Sequence, residues 1–301
     1  MIQALSGDVA FLQAIRDLKF DGFIHTIFSK TVNIKCRESG ELYTLACNRL
    51  DNAPNSLIID INCFSNNHLE LNDQVFIQKS TLSIDNKMVI RLEDVKGWEC
   101  SLPCYPLNEQ RLIYNLAIMK GYIEFNGKSG GMKKDSQTRN PFEVEMAKML
   151  EERSYSLLCS LVNNNESEAV NHALSLIGLG PGLTPSGDDY LTGLMTTFQL
   201  LNCPCYSLKE FCERVILKAK HLTNEISYMT LKMASVGKVR ESIVHLLCLA
   251  MYGEEKELIK ALQHVLQIGS SSGTDISLGL VSGLETILKI SSTRRNIHVN
   301  H

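Results

Sequence analysis

The sequence predicts an α+β protein: a β-rich, barrel-like N-terminal domain, then a mostly α-helical domain carrying two glycine-rich loop–helix motifs. Two patterns predict it. Short β-branched and apolar runs broken by turn formers fill the first hundred residues, and apolar positions at helical spacing fill the rest. Pro103 and Pro106 mark the change of character, which places the domains at 1–103 and 104–292, with a polar tail at 293–301.

Residues 1–20 read as a lead-in helix. Strands follow at Phe23–Phe28, Val32–Cys36, Leu42–Cys47, Ser56–Ile61, Gln74–Ser80 and Lys87–Leu92, separated by turn formers such as those around Gly40, Pro54 and Asn66. Many short strands at this spacing suggest a small barrel or sandwich. Beyond Pro106, Leu107–Lys120 reads as a helix ending near Gly121. Residues 126–140 carry Gly127, Gly130 and Gly131 with Lys128, Lys133, Lys134 and Arg139. That composition suits a mobile surface loop or a basic lid over an anionic substrate. Helices are then expected at Phe142–Asn163, Ser167–Leu176, Tyr190–Leu201, Leu208–Leu222 and Thr223–Val236, the last with Thr223 as cap, and around Ile243–Met251 and Leu258–Leu266.

Composition narrows the function. The 301 residues carry a formal charge of −3 with no basic stripe, so nucleic acid is not expected as a partner. No apolar run is long enough to span a bilayer, and the N-terminus lacks the features of a secretory signal. Ten scattered cysteines fit a reducing compartment, so a cytoplasmic protein is expected. Neither Cys100/Cys104 nor Cys203/Cys205 has the usual spacing of zinc ligands.

The candidate site lies in two matching segments. Three glycines and two prolines from Gly178 to Pro185 exclude a helix interior, and an apolar helix follows. Ser186-Gly187-Asp188-Asp189-x3-Gly193-Leu194 aligns with Ser272-Gly273-Thr274-Asp275-x3-Gly279-Leu280. The glycines one turn into each helix predict a close crossing that brings the two N-termini to one site. Helix N-termini attract anions, which makes Gly180, Gly182, Thr184, Ser186, Gly187, Ser271, Ser272, Gly273 and Thr274 candidate anion-binding residues. Asn224 and Ser227 border them at another helix start. Asp188, Asp189 and Asp275 are the candidate catalytic groups. Simple N-capping by Ser and Asp would also place such residues there.

A Walker-type loop is absent, because no Gly-Lys-Ser/Thr follows the glycines, and no nucleophile elbow is present. Bare carboxylates would repel a phosphate. Either Mg²⁺ held by Asp188, Asp189 and Asp275 bridges the two, or the aspartates accept N–H groups of a small anionic amide with no cofactor at all.

The run Gly178-x-Gly-Pro-Gly-Leu-Thr-Pro-Ser-x-Asp-Asp189 resembles the signature of a bacterial family that includes the AllH-type subunit of oxamate carbamoyltransferase. Glu225-Ile-Ser-Tyr228 with Ala234 and Gly237, and Ile268-Gly-x-x-Ser-Gly-Thr-Asp275-x3-Gly279, agree with the same family. Ser270 departs from it, since relatives often carry histidine there. The resemblance implies transfer of a carbamoyl group between carbamoyl phosphate and oxamate, as in allantoin and purine breakdown, without a covalent nucleophile and in a complex with other subunits. Two further readings stay open: a non-catalytic interaction subunit, and a stand-alone Mg²⁺-dependent phosphate or acyl-phosphate enzyme.

Overall fold

The computed structural model describes residues 1–17, 20–78, 80–135 and 137–299, with side chains as far as residue 293. The chain divides into two compact units, Met1–Cys100 and Ser101–His301. The last residues of the expected polar tail, 300 and 301, lie outside the described part. The helix before them runs on to Val299.

In the first unit the described strands are β1 (Ile2–Asp8), β2 (Asp21–Ile27), β3 (Thr31–Cys36), β4 (Leu42–Cys47), β5 (Ser56–Ile59), β6 (Gln74–Gln78), β7 (Thr81–Ile84), β8 (Met88–Arg91) and β9 (Lys96–Trp98). They run β5-β4-β3-β2-β6-β7-β8-β1, and β1 pairs back onto β5. The sheet therefore closes into an eight-stranded barrel, with β9 as an addition alongside β1. Closure removes the exposed edges that an open sheet would offer for aggregation. One strand makes it possible. β1 pairs antiparallel with β5 through Ala4 and Ile59, and parallel with β8 through Ile2 and Ile90.

The core holds Ile24, Val32, Ile34, Leu45, Leu57, Ile59, Leu82, Ile84 and Ile90, all shielded from solvent. A short helix, α1 (Val9–Arg16), adds Phe11, Leu12 and Ile15 to it. So the helix expected over residues 1–20 is half strand and half helix. Ile2 and Ala4 are claimed by partners far along the chain, which local periodicity does not reveal.

The second unit is helical: α2 (Gln110–Asn126), α3 (Pro141–Val162), α4 (Glu166–Leu176), α5 (Ser186–Phe198), α6 (Ser207–Ala219), α7 (Glu225–Ala234), α8 (Glu241–Tyr252), α9 (Glu255–Leu266) and α10 (Ser272–Val299). Gly121 does not end α2. It sits exposed within the helix, which continues through the buried Ile123. Every residue of α5 is buried, as expected of a helix at the centre of its unit. It packs against α4, α6, α7 and, most extensively, α10. None of the described helices is long and apolar enough to cross a membrane.

Candidate functional site: a paired loop–helix junction

The two matching segments meet. A Cβ added at Gly193 would collide with the carbonyl of Ile276 and lie 2.8 Å from Leu280 N. One added at Gly279 would collide with the carbonyl of Tyr190 and lie 2.9 Å from Leu194 N. These contacts are reciprocal, because Tyr190 aligns with Ile276 and Leu194 with Leu280. One turn further on, Gly283 fits against Thr197 in the same way. Contacts that advance together along both helices mean that α5 and α10 run parallel, with their N-termini at one end. Thr184 Oγ1 and Ser272 Oγ bridge that end at 3.0 Å.

The approach to each helix is matched as well. Gly187 is pressed against the carbonyl of Leu176 at the end of α4, and Gly273 against that of Val265 at the end of α9. Asp188 N and Asp189 N both donate to Pro185 O, at 2.9 and 3.1 Å; Thr274 N and Asp275 N both donate to Ser271 O, at 2.8 and 3.0 Å. Gly187 N and Gly273 N donate to Leu179 O and Ile268 O. Of the amides expected to cradle an anion, those of Gly187, Gly273 and Thr274 are therefore already satisfied by their own loops. Capping does not explain the serine and aspartates either, since Pro185 holds the N-cap position of α5 and no side chain caps it.

The three aspartates, predicted to act together, separate into two roles. Asp188 Oδ1 accepts Gly178 N at 2.8 Å, and its Oδ2 accepts Thr223 Oγ1 at 2.5 Å and Ser227 Oγ at 2.6 Å. Both oxygens are engaged by protein donors, so Asp188 staples the first loop and the start of α7 onto α5. Burial raises its pKa, and the three donors oppose that rise. Among the described residues no group of three His, Cys, Asp or Glu side chains is placed to hold a metal ion. Replacing Asp188 with alanine leaves three donors without their acceptor, the buried Ser227 hydroxyl among them, and should lower the stability of the helical unit by about 1–3 kcal/mol, read by urea denaturation.

Asp189 and Asp275 behave differently. Both are buried, and Asp189 Oδ2, Asp275 Oδ2 and Ser186 Oγ lack a hydrogen-bond partner. Burial pushes the Asp189 carboxyl up to about 7. The Ser272 and Thr184 hydroxyls pull against this, while the charges of Asp275 and Asp188 add to it. Burial likewise pushes Asp275 up to about 6, tempered by the Met132 amide and by the nearby Ser186 and Ser271 hydroxyls. Two carboxyls that titrate near neutrality can each donate or accept a proton there, and groups perturbed in this way cluster at functional sites.

The remaining candidates are placed as follows. Gly180, at φ +118°, lies with its α-carbon against Ser186 and turns the loop into α5. Gly182 is exposed, with open space around it. Asn224, rather than Thr223, caps α7, accepting Ser227 N at 3.1 Å while donating to Leu183 O at 2.6 Å. Sequence reasoning missed the contribution of residues 127–133. Lys128 N donates to Thr274 Oγ1 at 2.8 Å, Met132 N donates to Asp275 Oδ1 at 2.7 Å, and Gly131 is buried over them. The adjacent Gly130-Gly131 pair was the available signal. With this segment in place the junction is closed. A surface groove of about 520 Å³ is lined instead by residues such as Leu107, Arg111, Tyr114 and Tyr252.

A closed β-barrel unit and a helical unit built on two parallel, glycine-crossed helices define a two-part protein with a buried two-carboxyl junction. Residues 176–284, which contain both loops and the crossing, match the family model described as oxamate carbamoyltransferase subunit AllH. Residues 3–97, the barrel, match the AllH family N-terminal domain. The chain belongs to the AllH family. No solved structure matches it.

Proposed function

We propose that this chain serves as a subunit of a carbamoyltransferase acting on carbamoyl phosphate and oxamate, and that the paired junction receives the amide end of oxamate or oxalurate. The observation that carries this reading is the pair of buried, unpartnered carboxylate oxygens of Asp189 and Asp275 at the shared N-terminal end of two parallel helices. Carboxylates accept N–H groups, and amide N–H is what oxamate and oxalurate present.

In the forward direction the oxamate nitrogen attacks the carbamoyl carbon. A C–N bond forms, the C–O bond to phosphate breaks, and phosphate leaves with the electron pair. The nitrogen must shed a proton, and a carboxyl with a pKa near 7, such as that of Asp189, is suited to take it. The amides of Gly187, Asp188, Asp189, Gly273, Thr274 and Asp275 are committed to their loops, so the phosphate group is expected to be held elsewhere, by cations such as Lys128 or by partner subunits. The macrodipoles of two parallel helices still favour negative charge at this end.

The test is carbamoyl transfer by the assembled complex, with wild-type chain beside Asp189→Asn and Asp275→Asn. Thermal shifts with oxamate, oxalurate, carbamoyl phosphate and phosphate accompany it. Loss of about 10²-fold or more in transfer, with loss of the oxalurate shift, is expected from each substitution. Transfer that survives both would favour an interaction subunit without catalytic groups, a reading to which the complete burial of the junction lends weight.

A further inference from the structure

Residues 127–133 leave the C-terminal end of α2 and lie across the junction as a strap. Its backbone makes the contact. Lys128 N binds Thr274 Oγ1, Met132 N binds Asp275 Oδ1, and Gly131 lies between them. A Cβ at Gly131 would collide with Asp275 Oδ2 and lie 2.5 Å from Asp275 Oδ1 and 2.6 Å from Ser186 Oγ. Three polar atoms thus converge on one peptide unit, and two of them, Asp275 Oδ2 and Ser186 Oγ, receive no hydrogen bond from it.

Building on the function proposed above, we infer that the Gly131–Met132 peptide is a resident amide that holds the place at Asp275 taken by the N–H end of a small anionic amide, and that the strap lifts when such a molecule binds. Donor and acceptor types are the same in both states. A peptide offers a single N–H and leaves Oδ2 unpaired. A primary amide or ureido group offers two or three, enough to satisfy both oxygens of Asp275 and so to displace the strap. The site would then favour primary amides and ureido acids over secondary amides.

The strap is fastened by groups that water can replace. Lys128 Nζ donates to Gly269 O at 2.9 Å, and Lys133 Nζ donates to the carbonyls of Ile123, Glu124 and Gly127 at the end of α2. Lys134 pairs with Glu151 in an exposed ion pair. Among residues 127–133 only Gly131 is buried. Segments with few buried apolar contacts open at low free-energy cost.

The experiment uses the full chain and its Gly131→Ala variant, whose added methyl should push the strap off. Amide exchange across 127–133 is expected to rise about tenfold or more in the variant, with α5 and α10 still protected. Wild type should show the same local rise on adding oxamate or oxalurate. Because the variant no longer spends binding energy on displacing the strap, its Kd for these ligands should tighten by about tenfold. N-carbamoylglycine and succinamate extend the panel. Binding of these two to Gly131→Ala, with no binding of oxamate or oxalurate, would overturn the assigned substrates while upholding the strap. Binding of oxalurate to wild type with the strap still protected would overturn the strap and leave the proposed function standing. If none of the four binds a Gly131→Ala chain whose strap exchanges freely, the placeholder is wrong. If that variant unfolds globally, the wild-type exchange experiment alone decides, in the same sense.

Discussion

Replacing Gly279 with alanine is expected to collapse the helical unit, and Gly193→Ala to do nearly the same. The added methyl has nowhere to go. At Gly279 it meets the carbonyl of Tyr190 and the amide of Leu194, and at Gly193 the carbonyl of Ile276 and the amide of Leu280. These are backbone atoms of the partner helix, so no side-chain rotation relieves the clash. Relief requires α5 and α10 to separate along their whole contact, opening the centre of the unit. A cost on the order of 4–5 kcal/mol or more follows, at the extreme of what single substitutions do.

Such a loss is a large share of the 5–15 kcal/mol that holds a typical domain together. Far-UV circular dichroism against urea or temperature measures it. Gly121→Ala is the matched control. Gly121 sits within α2 with nothing in reach of an added methyl, so the same substitution should stabilise by about 0.5–1 kcal/mol. Equal effects at positions 279 and 121 would mean that the crossing is looser than these contacts require.

The same crossing shows how much of the site was legible in the sequence. Gly193 and Gly279 could be paired because the two segments align residue for residue, and a close crossing is the ordinary physical reason for glycine inside a buried helix. The alignment also held a finer signal. Asp189 repeats as Asp275, whereas Asp188 is matched by Thr274. The repeated position faces the crossing. The unrepeated one faces away from it, and there Asp188 binds the start of α7 while Thr274 binds the strap.

What could not be read is pairing between distant segments. β7 was lost because a strand expected to run to Ser80 ends at Gln78 and β7 begins at Thr81, only three positions further on inside an otherwise uniform β-rich run. β1 and β9 owe their strand character to each other and, for β1, to β5 and β8. The docking of residues 127–133 rests on one glycine fitting beneath two side chains from α5 and α10. Composition can say that such a segment is basic and glycine-rich, but not what it touches. The burial of the first-turn amides went unforeseen for a related reason: the carbonyls that satisfy them belong to loops whose path is set by the glycines they contain.

Asp189→Asn should make the helical unit more stable while removing its function. In the folded protein burial holds this carboxyl near 7, well above its ordinary value of 3.8. A group whose folded pKa is raised contributes stability that is complete below the unfolded value and is lost as pH rises through the folded one. The folded chain therefore retains a proton that the unfolded chain releases, and stability falls between about pH 4 and pH 7. At pH 8 the wild-type protein carries the full cost of a buried charge. Asparagine has the same shape and no charge to desolvate.

A rise of about three pKa units, at 1.36 kcal/mol each, puts the gain on the order of 4 kcal/mol at pH 8, shrinking to nothing near pH 4. For a unit of this size that corresponds to a melting temperature higher by about 10 °C. Asp275→Asn should follow the same course over a narrower window, because its folded value is about 6. Melting curves of wild type and both variants from pH 4 to pH 8 test this, with the difference between chains as the quantity read. Carboxylates held low against burial, such as Asp73 by the Glu70 amide and Lys87, titrate in the opposite sense but cancel in that difference. A difference that does not change with pH would mean that the parallel helix N-termini already stabilise the ionised form, so that Asp189 stays charged and acts as a fixed acceptor, with proton transfer left to another group. A difference that grows with pH, joined to loss of oxalurate binding, would identify a carboxyl kept at a cost to the fold for the sake of the molecule it receives.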